Sequence, residues 1–178
     1  EKRENRGKGF SVREGMLMTT KNYALFTDAD FSTPIEELEK FDEFHEYDVV
    51  IGERTDKSLL KKRQSFFRES LGKCFNLVLR SITGLPLKDT QCGFKLFKRE
   101  VAENVFKNLK THRFAFDVEV IMRAQAYCNI KTVPVVWYND EESTVNPLID
   151  PFKMMWDIVK IKRMIRNESR RDRDTDQA

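Results

Sequence analysis

Short apolar runs alternate with amphipathic segments along this chain. Runs rich in apolar and β-branched residues predict buried strands, which cover residues 23–27, 48–52, 94–97 and 130–137. Apolar residues at helical spacing predict helices over residues 34–44, 63–82, 100–109, 117–127 and 151–165. Strands that alternate with helices are typical of an α/β sandwich. The last strand should lie at an edge or a bulge, because it contains Pro134.

The predicted elements form one domain with a tail behind it. Residues 1–166 contain all the predicted strands and helices, whereas residues 167–178 are polar and charged, which predicts disorder. Residues 84–93 interrupt the alternation of strands and helices. Long irregular segments inside compact domains usually serve a function, so this stretch is a candidate part of a site.

Two carboxylates, Asp28 and Asp30, stand where the first predicted strand ends. Side chains at i and i+2 of an extended chain point the same way, and ligands of open α/β sheets bind beyond the carboxyl ends of strands. A divalent cation that carries phosphate oxygens would suit such a pair. The alternative is an acidic turn that caps the next helix, and the short pattern alone does not decide between the two.

A glycine-rich basic segment precedes this strand. Gly7, Lys8 and Gly9 lead into a helix that also carries Arg13. Glycines allow close approach of the backbone to a phosphate, and a helix start favours an anion. The alternative is an ordinary basic helix start.

Further arginines follow in separate segments. Arg54 stands at the end of the second strand, and Arg68 lies near the start of the long predicted helix. Arginine forks match phosphate oxygens bidentately, although each arginine alone could equally be a solvated surface charge.

Acidic residues also occur beside the third strand and at a helix start. Asp89 precedes Gly93 and the apolar strand, in either a turn or a site, whereas Asp117 and Glu119 would cap a helix or face the site. An acid pair for a metal, a basic glycine-rich loop and separate arginines together predict a site for more than one phosphate group. Such a site suits transfer from a nucleotide-activated donor to an anionic acceptor.

Composition excludes several classes of protein and of binding site. Lys and Arg number 32 against 29 Asp and Glu, a net charge of +3, so no basic footprint predicts nucleic-acid binding. No apolar run approaches the roughly 20 residues that span a bilayer. The three cysteines and two histidines lack the spacing of a zinc site, which favours reduced thiols in a cytosolic setting.

Four of these segments together resemble the family-2 glycosyltransferases that load sugars onto polyprenyl phosphates. The resemblance extends from about residue 5 to about residue 166 and is carried by residues 5–9, 28–30, 89–97 and 116–119. The specific motif is DTQCGFKLF at residues 89–97. The chain is most similar to the dolichyl-phosphate β-glucosyltransferase branch, with the dolichyl-phosphate mannose synthases as its sister group.

The resemblance implies a fold and a reaction. The fold would be an α/β nucleotide-diphospho-sugar transferase of GT-A type, a mixed sheet flanked by helices. The reaction would be inverting transfer of a hexose, with UDP-glucose favoured as the donor, to a polyprenyl or dolichyl phosphate. A GDP-mannose-dependent synthase and an inactive fragment or non-catalytic relative remain alternatives.

The resemblance also implies roles for individual residues. Asp28 and Asp30 would hold Mg²⁺ or Mn²⁺ against the donor diphosphate. The implied donor-binding residues are Lys8, Arg13, Asp28, Asp30 and Gln91. Arg54 and Arg68 would receive the acceptor phosphate, and both would belong to the catalytic centre together with Asp89.

The sequence departs from the family pattern in two places. Relatives open with a strand and a nucleotide-gripping loop that have no counterpart here, which implies an N-terminally truncated domain without the first nucleotide-binding strands. Relatives also generally have lysine where this chain has Thr144, which puts one donor-phosphate contact in doubt.

A lipid acceptor implies contact with a membrane. The last predicted helix carries apolar residues flanked by lysines and arginines, as do helices that lie on an anionic interface. The alternative is a helix that packs on the domain and has a basic outer face. The resemblance places the enzyme at the cytosolic face of a membrane, the endoplasmic reticulum in a eukaryote or the plasma membrane in a prokaryote.

Overall fold

A computed structural model describes residues 5–54, 77–84, 86–113, 115–138 and 150–176, with the side chains of the last helix described for residues 153–171. Its elements are, in chain order, α1 (Lys8–Leu17), β1 (Tyr23–Thr27), a 3₁₀ helix (Ile35–Phe44), β2 (Val49–Glu53), α2 (described over residues 77–83), β3 (Phe94–Lys98), α3 (Arg99–Lys107), α4 (Phe116–Gln125), β4 (Ile130–Pro134) and α5 (Asp150–Asp176).

The four strands form one mixed sheet in the order β1-β3-β2-β4. β1 and β2 both run antiparallel to β3, and β4 runs parallel to β2. The mixed sheet flanked by helices is therefore confirmed. This topology brings the carboxyl ends of β1, β2 and β4 and the amino end of β3 to one side, called the carboxyl edge below.

The two faces of the sheet are covered by different elements. Successive side chains of a strand point to opposite faces, so Val49 and Ile51 join a cluster with α1, α3, α4 and α5, whereas Val50 joins a cluster with the 3₁₀ helix. Phe41 of the 3₁₀ helix packs edge-to-face on Phe94 of β3, with ring centroids 5.4 Å apart. The sheet is thus the middle layer of a sandwich.

Some boundaries differ from those predicted. Residues 35–44 form a 3₁₀ helix, and β4 ends at Pro134. β4 is an edge strand of the sheet, as Pro134 predicts. The predicted disorder of residues 167–178 is wrong for most of that segment, because α5 continues to Asp176. The extension is joined to α4 by an ion pair, in which Glu168 lies 2.9 Å from Arg123.

The long helix predicted over residues 63–82 is only partly covered by the structure. Its described end, residues 77–83, is helical. Arg68 and the departure at Thr144 both lie outside the described residues. Within the described part of the chain, no helix combines the length and apolar character needed to cross a bilayer.

Candidate active site at the carboxyl edge of the sheet

The candidate residues from separate segments meet at the carboxyl edge. Asp28 follows β1 and extends the ladder, because its amide donates to the Gly93 carbonyl at 2.9 Å. Arg54 follows β2, and Trp137 lies just beyond β4. Ligands of open α/β sheets bind at this kind of edge.

The Asp28 carboxylate is held between a lysine and a glycine. A Cβ atom at Gly93 would overlap the carboxylate, so only glycine leaves room for it there. Lys8 Nζ lies 2.6 Å from Asp28 Oδ1 and 5.6 Å from the centre of the Phe26 ring. Oδ1 is buried, and the Lys8 ammonium is its charged partner.

Asp30 lies in a tight turn beyond Asp28. Its Oδ1 accepts the Ser32 amide at 2.9 Å, and the Phe31 amide donates to the Asp28 carbonyl at 3.1 Å. The 3₁₀ helix that follows has no side-chain cap, so Asp30 closes a turn and does not cap that helix. Phe31 has φ 52°, a left-handed conformation that costs a non-glycine residue about 1–2 kcal/mol.

The two aspartates fit a divalent cation in their chemistry. Asp28 offers a carboxylate that contacts the Lys8 ammonium, and Asp30 is an exposed carboxylate. No group of three or more Asp, Glu, His or Cys that could hold a metal occurs in the described ranges. Mg²⁺ is commonly bound by one or two carboxylates, with substrate phosphates and water completing its shell, and this donor set meets that description.

Arg54 and Asp89 form a bidentate ion pair. Arg54 Nε donates to Asp89 Oδ2 at 2.7 Å, and Nη2 donates to Oδ1 at 3.0 Å. Burial opposes ionisation of the Asp89 carboxyl, but Arg54 outweighs burial and lowers its pKa below the usual value. Burial likewise disfavours the charged Arg54, and Asp89 outweighs that effect and raises its pKa. The centre of the Trp137 ring lies 5.1 Å from the Arg54 guanidinium carbon.

A second ion pair lies buried beneath the first. Lys95 of β3 donates to Asp117 of α4 at 2.5 Å and to the Cys92 carbonyl at 2.6 Å. Burial raises the pKa of Asp117 although Lys95 opposes that shift, and burial raises the pKa of the Cys92 thiol to about 11. Asp117 is thus part of the buried ion pair. The alternative that it caps a helix is wrong, because α4 has no side-chain cap.

Glu119 has a structural role. Its side chain is buried and accepts the amides of Lys110 and Thr111 at 3.0 and 2.8 Å. That loop packs on the start of α1, where a Cβ at Gly9 would lie 2.7 Å from the Thr111 carbonyl oxygen. A Cβ at Gly7 would likewise overlap the His112 carbonyl. Close packing against this loop therefore requires glycine at both positions, whether or not they also approach a phosphate.

Two predicted donor-binding residues have other partners. Arg13 donates to the Phe106 carbonyl at 3.1 Å and pairs with Glu14 at 2.7 Å, so it lies in the contact of α1 with α3. Gln91 donates through its amide to Met154 Sδ of α5 at 3.3 Å. Lys8 and Asp28 are in direct contact, whereas no contact joins Arg13 to them among the described residues.

The sequence model of the family described as "Glycosyl transferase family 2" matches residues 1–106 of this chain. The chain belongs to this family. Its relatives include the dolichyl-phosphate β-glucosyltransferases of Dictyostelium discoideum, 35% identical over 170 residues, and of Saccharomyces cerevisiae, 32% identical over 177 residues. These matches cover 90% and 89% of this chain and 52% of each relative, so the chain spans about half the length of the relatives it matches.

A solved structure is similar to this chain in its fold. Glucosyl-3-phosphoglycerate synthase from Mycobacterium tuberculosis, in complex with UDP, matches with a TM-score of 0.57 at 14% identity. The match covers 88% of this chain and 53% of that chain. The predicted GT-A type of fold is thereby confirmed for this family-2 chain.

Sequence reasoning missed two residues of the site. The sequence predicts only a strand at Trp137, and nothing near it in the chain indicates a contact with Arg54. Lys95 stands within the DTQCGFKLF motif, where the apolar pattern predicts only a strand. A lysine between buried Phe94 and the partly buried Leu96 was the available signal, because a charged residue inside an apolar strand needs a buried partner.

Proposed function

We propose that this protein is an inverting glycosyltransferase that transfers glucose from UDP-glucose to dolichyl phosphate or another polyprenyl phosphate. One observation carries the proposal: the Asp28 carboxylate and the Arg54–Asp89 pair meet at the carboxyl edge of a family-2 domain. The names of the relatives supply the sugar and the acceptor.

The donor would lie at the Asp28 side of the site. Asp28 and Asp30 would hold Mg²⁺ or Mn²⁺, which would screen the charge of the departing nucleotide diphosphate. Lys8 is already directed to Asp28 and would contact a donor phosphate there. Gln91 would contact the donor from the other side of the site. Arg13 would have to leave Phe106 to join them, so it is the weakest of the assigned donor contacts.

The acceptor would lie at the Arg54 side. A phosphate monoester has a second pKa of about 6, so it is largely ionised at neutral pH. It therefore attacks without a general base, unlike a hydroxyl group. Arg54, and Arg68 as implied by the resemblance, would orient its oxygen toward the anomeric carbon. In-line attack would give a β-linked product from an α-linked donor, with catalysis from alignment and charge neutralisation.

The outer face of α5 supports peripheral contact with the cytosolic face of a membrane. Lys153, Trp156, Lys160 and Arg163 recur at three- and four-residue spacing, and the Trp156 side chain is 62% exposed. Lys160 Nζ lies 5.5 Å from the centre of its ring. Exposed tryptophan with cationic neighbours suits an anionic lipid surface.

The reaction is tested with purified protein, radiolabelled UDP-glucose and dolichyl phosphate in detergent. We expect lipid-linked glucose with Mn²⁺ or Mg²⁺ and none with EDTA. Asp30→Asn should abolish metal-dependent turnover, whereas Glu39→Gln, an exposed acid on the 3₁₀ helix, should retain it. Near-normal turnover of Asp30→Asn would overturn the metal assignment.

Two further results would favour the alternatives. Incorporation of mannose from GDP-mannose in place of glucose would favour the mannose synthases. Absence of heat on titration with UDP-glucose and Mn²⁺ would favour a non-catalytic chain.

A further inference from the structure

The Asp89 carboxylate has no free acceptor site for a substrate proton. Oδ2 accepts the Arg54 backbone amide at 3.1 Å and Arg54 Nε at 2.7 Å. Oδ1 accepts Arg54 Nη2 at 3.0 Å and the Gln91 amide at 3.2 Å. A carboxylate has about four lone-pair sites, so these contacts use all of them. The side chain is also only 9% exposed, which leaves little access for a substrate.

The Arg54 guanidinium, by contrast, still has donors available. It carries five N–H groups, of which the bonds to Asp89 use one at Nε and one at Nη2. Among the described residues nothing accepts from the two N–H groups of Nη1. Arg54 is 27% exposed, so these donors can reach a ligand at the carboxyl edge.

Trp137 restricts Arg54 from another direction. The guanidinium carbon lies 5.1 Å from the centre of the Trp137 ring, within the range of a cation–π contact. A guanidinium bonded along one edge and stacked on an aromatic ring keeps one orientation. A fork held in this way loses less side-chain entropy when it binds an anion.

We propose that Asp89 and Trp137 are positioning residues, which hold the Arg54 guanidinium ready for a phosphomonoester, and that Asp89 does not act as a proton acceptor. This deepens the proposed function and rests on it for the identity of the acceptor. Asp89 keeps its importance for the site, but it acts through Arg54.

Binding of geranyl phosphate tests the proposal without any sugar transfer. Calorimetry on the full chain should show binding, weakened about tenfold or more by either Arg54→Lys or Asp89→Asn, since a hydrogen bond to a charged group is worth about 1.5–3 kcal/mol. The double variant should bind no more weakly than Arg54→Lys alone, because residues that act through one contact are not additive. Arg99→Gln, which removes an exposed arginine on α3, should bind normally.

Trp137→Leu gives a second test if Asp89→Asn fails to fold, because Trp137 is only partly buried. It should weaken geranyl phosphate binding several-fold and leave binding of the prenyl alcohol unchanged. Binding of UDP by the same variants provides the second comparison. If the variants lose affinity for UDP and not for geranyl phosphate, the guanidinium binds the donor diphosphate, and the assignment to a phosphomonoester is overturned.

The remaining outcomes separate this inference from the proposed function. Unchanged geranyl phosphate affinity in Asp89→Asn, combined with loss of transfer, would make Asp89 a proton acceptor and overturn the inference. The inference is also overturned if the unmodified chain binds no geranyl phosphate. The expected binding pattern without any glucose transfer would instead overturn the function and leave the positioning roles intact.

Discussion

At the scale of single residues, the position of Asp28 depends on the absence of a side chain at Gly93. The two residues continue the β1–β3 ladder beyond its last pair, and the carboxylate lies over the glycine. The sequence shows a glycine after Cys92 but not what it faces, because the contact follows from the antiparallel register of two strands far apart in the chain.

Replacement of Gly93 by alanine should displace the Asp28 carboxylate. We expect a loss of about 1–3 kcal/mol in the free energy of unfolding, the usual cost of overpacking, together with weaker Mn²⁺-dependent binding of UDP. Denaturant unfolding and calorimetry measure the two effects. Gly15→Ala is the matched control, because a Cβ there meets nothing within 4 Å and an exposed helix gains about 0.5–1 kcal/mol from the change. Equal effects of the two variants would contradict the close packing.

Phe31 carries backbone strain next to the acid pair. Its φ of 52° disfavours any residue with a Cβ, and its side chain is 58% exposed, so little packing compensates for the strain. Phe31→Gly relieves the strain, whereas Phe31→Ala keeps it and serves as the control for loss of the ring. After the higher chain entropy of glycine is subtracted, we expect the glycine variant to be more stable than the alanine variant by about 0.5–1 kcal/mol. Thermal unfolding of both would reveal the opposite order if the turn were relaxed.

At the scale of elements, the buried Lys95–Asp117 pair joins β3 to α4. Lys95 also holds the Cys92 carbonyl, at the end of the segment that carries Asp89. One ion pair therefore connects the sheet, a helix and the loop of the site. Partnered charges inside a core are costly to separate, because the remaining partner keeps its desolvation cost without compensation.

Single replacements of this pair should be far more harmful than the double replacement. We expect Asp117→Asn or Lys95→Met to cost about 3–5 kcal/mol of stability, and Lys95→Met with Asp117→Leu to recover more than half of that loss. Denaturant unfolding provides the comparison. Glu103→Gln, in the exposed pair with Arg99, should change stability by less than about 1 kcal/mol. Additive losses in the double variant would show that each residue acts through other contacts.

The elements themselves were largely predictable from the sequence. The four strands are apolar runs bounded by polar residues or glycine, and period and length identify them. The end of α5 was not predictable in the same way. Its last turns are highly charged, and a composition that suggests disorder also permits a helix when one side chain, here Glu168, pairs with the partly buried Arg123.

At the scale of the whole molecule, the location of the candidate site at the carboxyl edge was predictable, but the Arg54–Asp89 ion pair within it was not. Asp28 and Arg54 each follow an apolar strand, so their common location follows from the topology of such sheets. The partner of Arg54 lies 35 residues further along, and only the order of β2 and β3 brings Asp89 to it. Trp137 lies beyond a fourth strand, and no residue near it in the sequence indicates that it belongs to the site.

The same architecture separates the site from the candidate membrane surface by the thickness of one helix. Met154 of α5 contacts Gln91 beside the site, whereas Trp156 and Lys160 lie on the outer face. A protein bound to a membrane through this outer face would therefore hold the carboxyl edge close to the lipid surface, where a polyprenyl phosphate presents its headgroup.

Flotation with vesicles that contain anionic lipid tests this surface. The unmodified chain should float at low salt and less at high salt, because screening weakens the attraction of exposed charges. Trp156→Ala and Lys160→Glu with Arg163→Glu should each reduce the floating fraction, the first by losing apolar insertion and the second by repulsion. Arg99→Glu with Lys107→Glu changes the net charge equally but lies on α3, so it should float normally. Equal loss in both charge-reversed variants would show that only the overall charge matters and that α5 merely has a basic outer face.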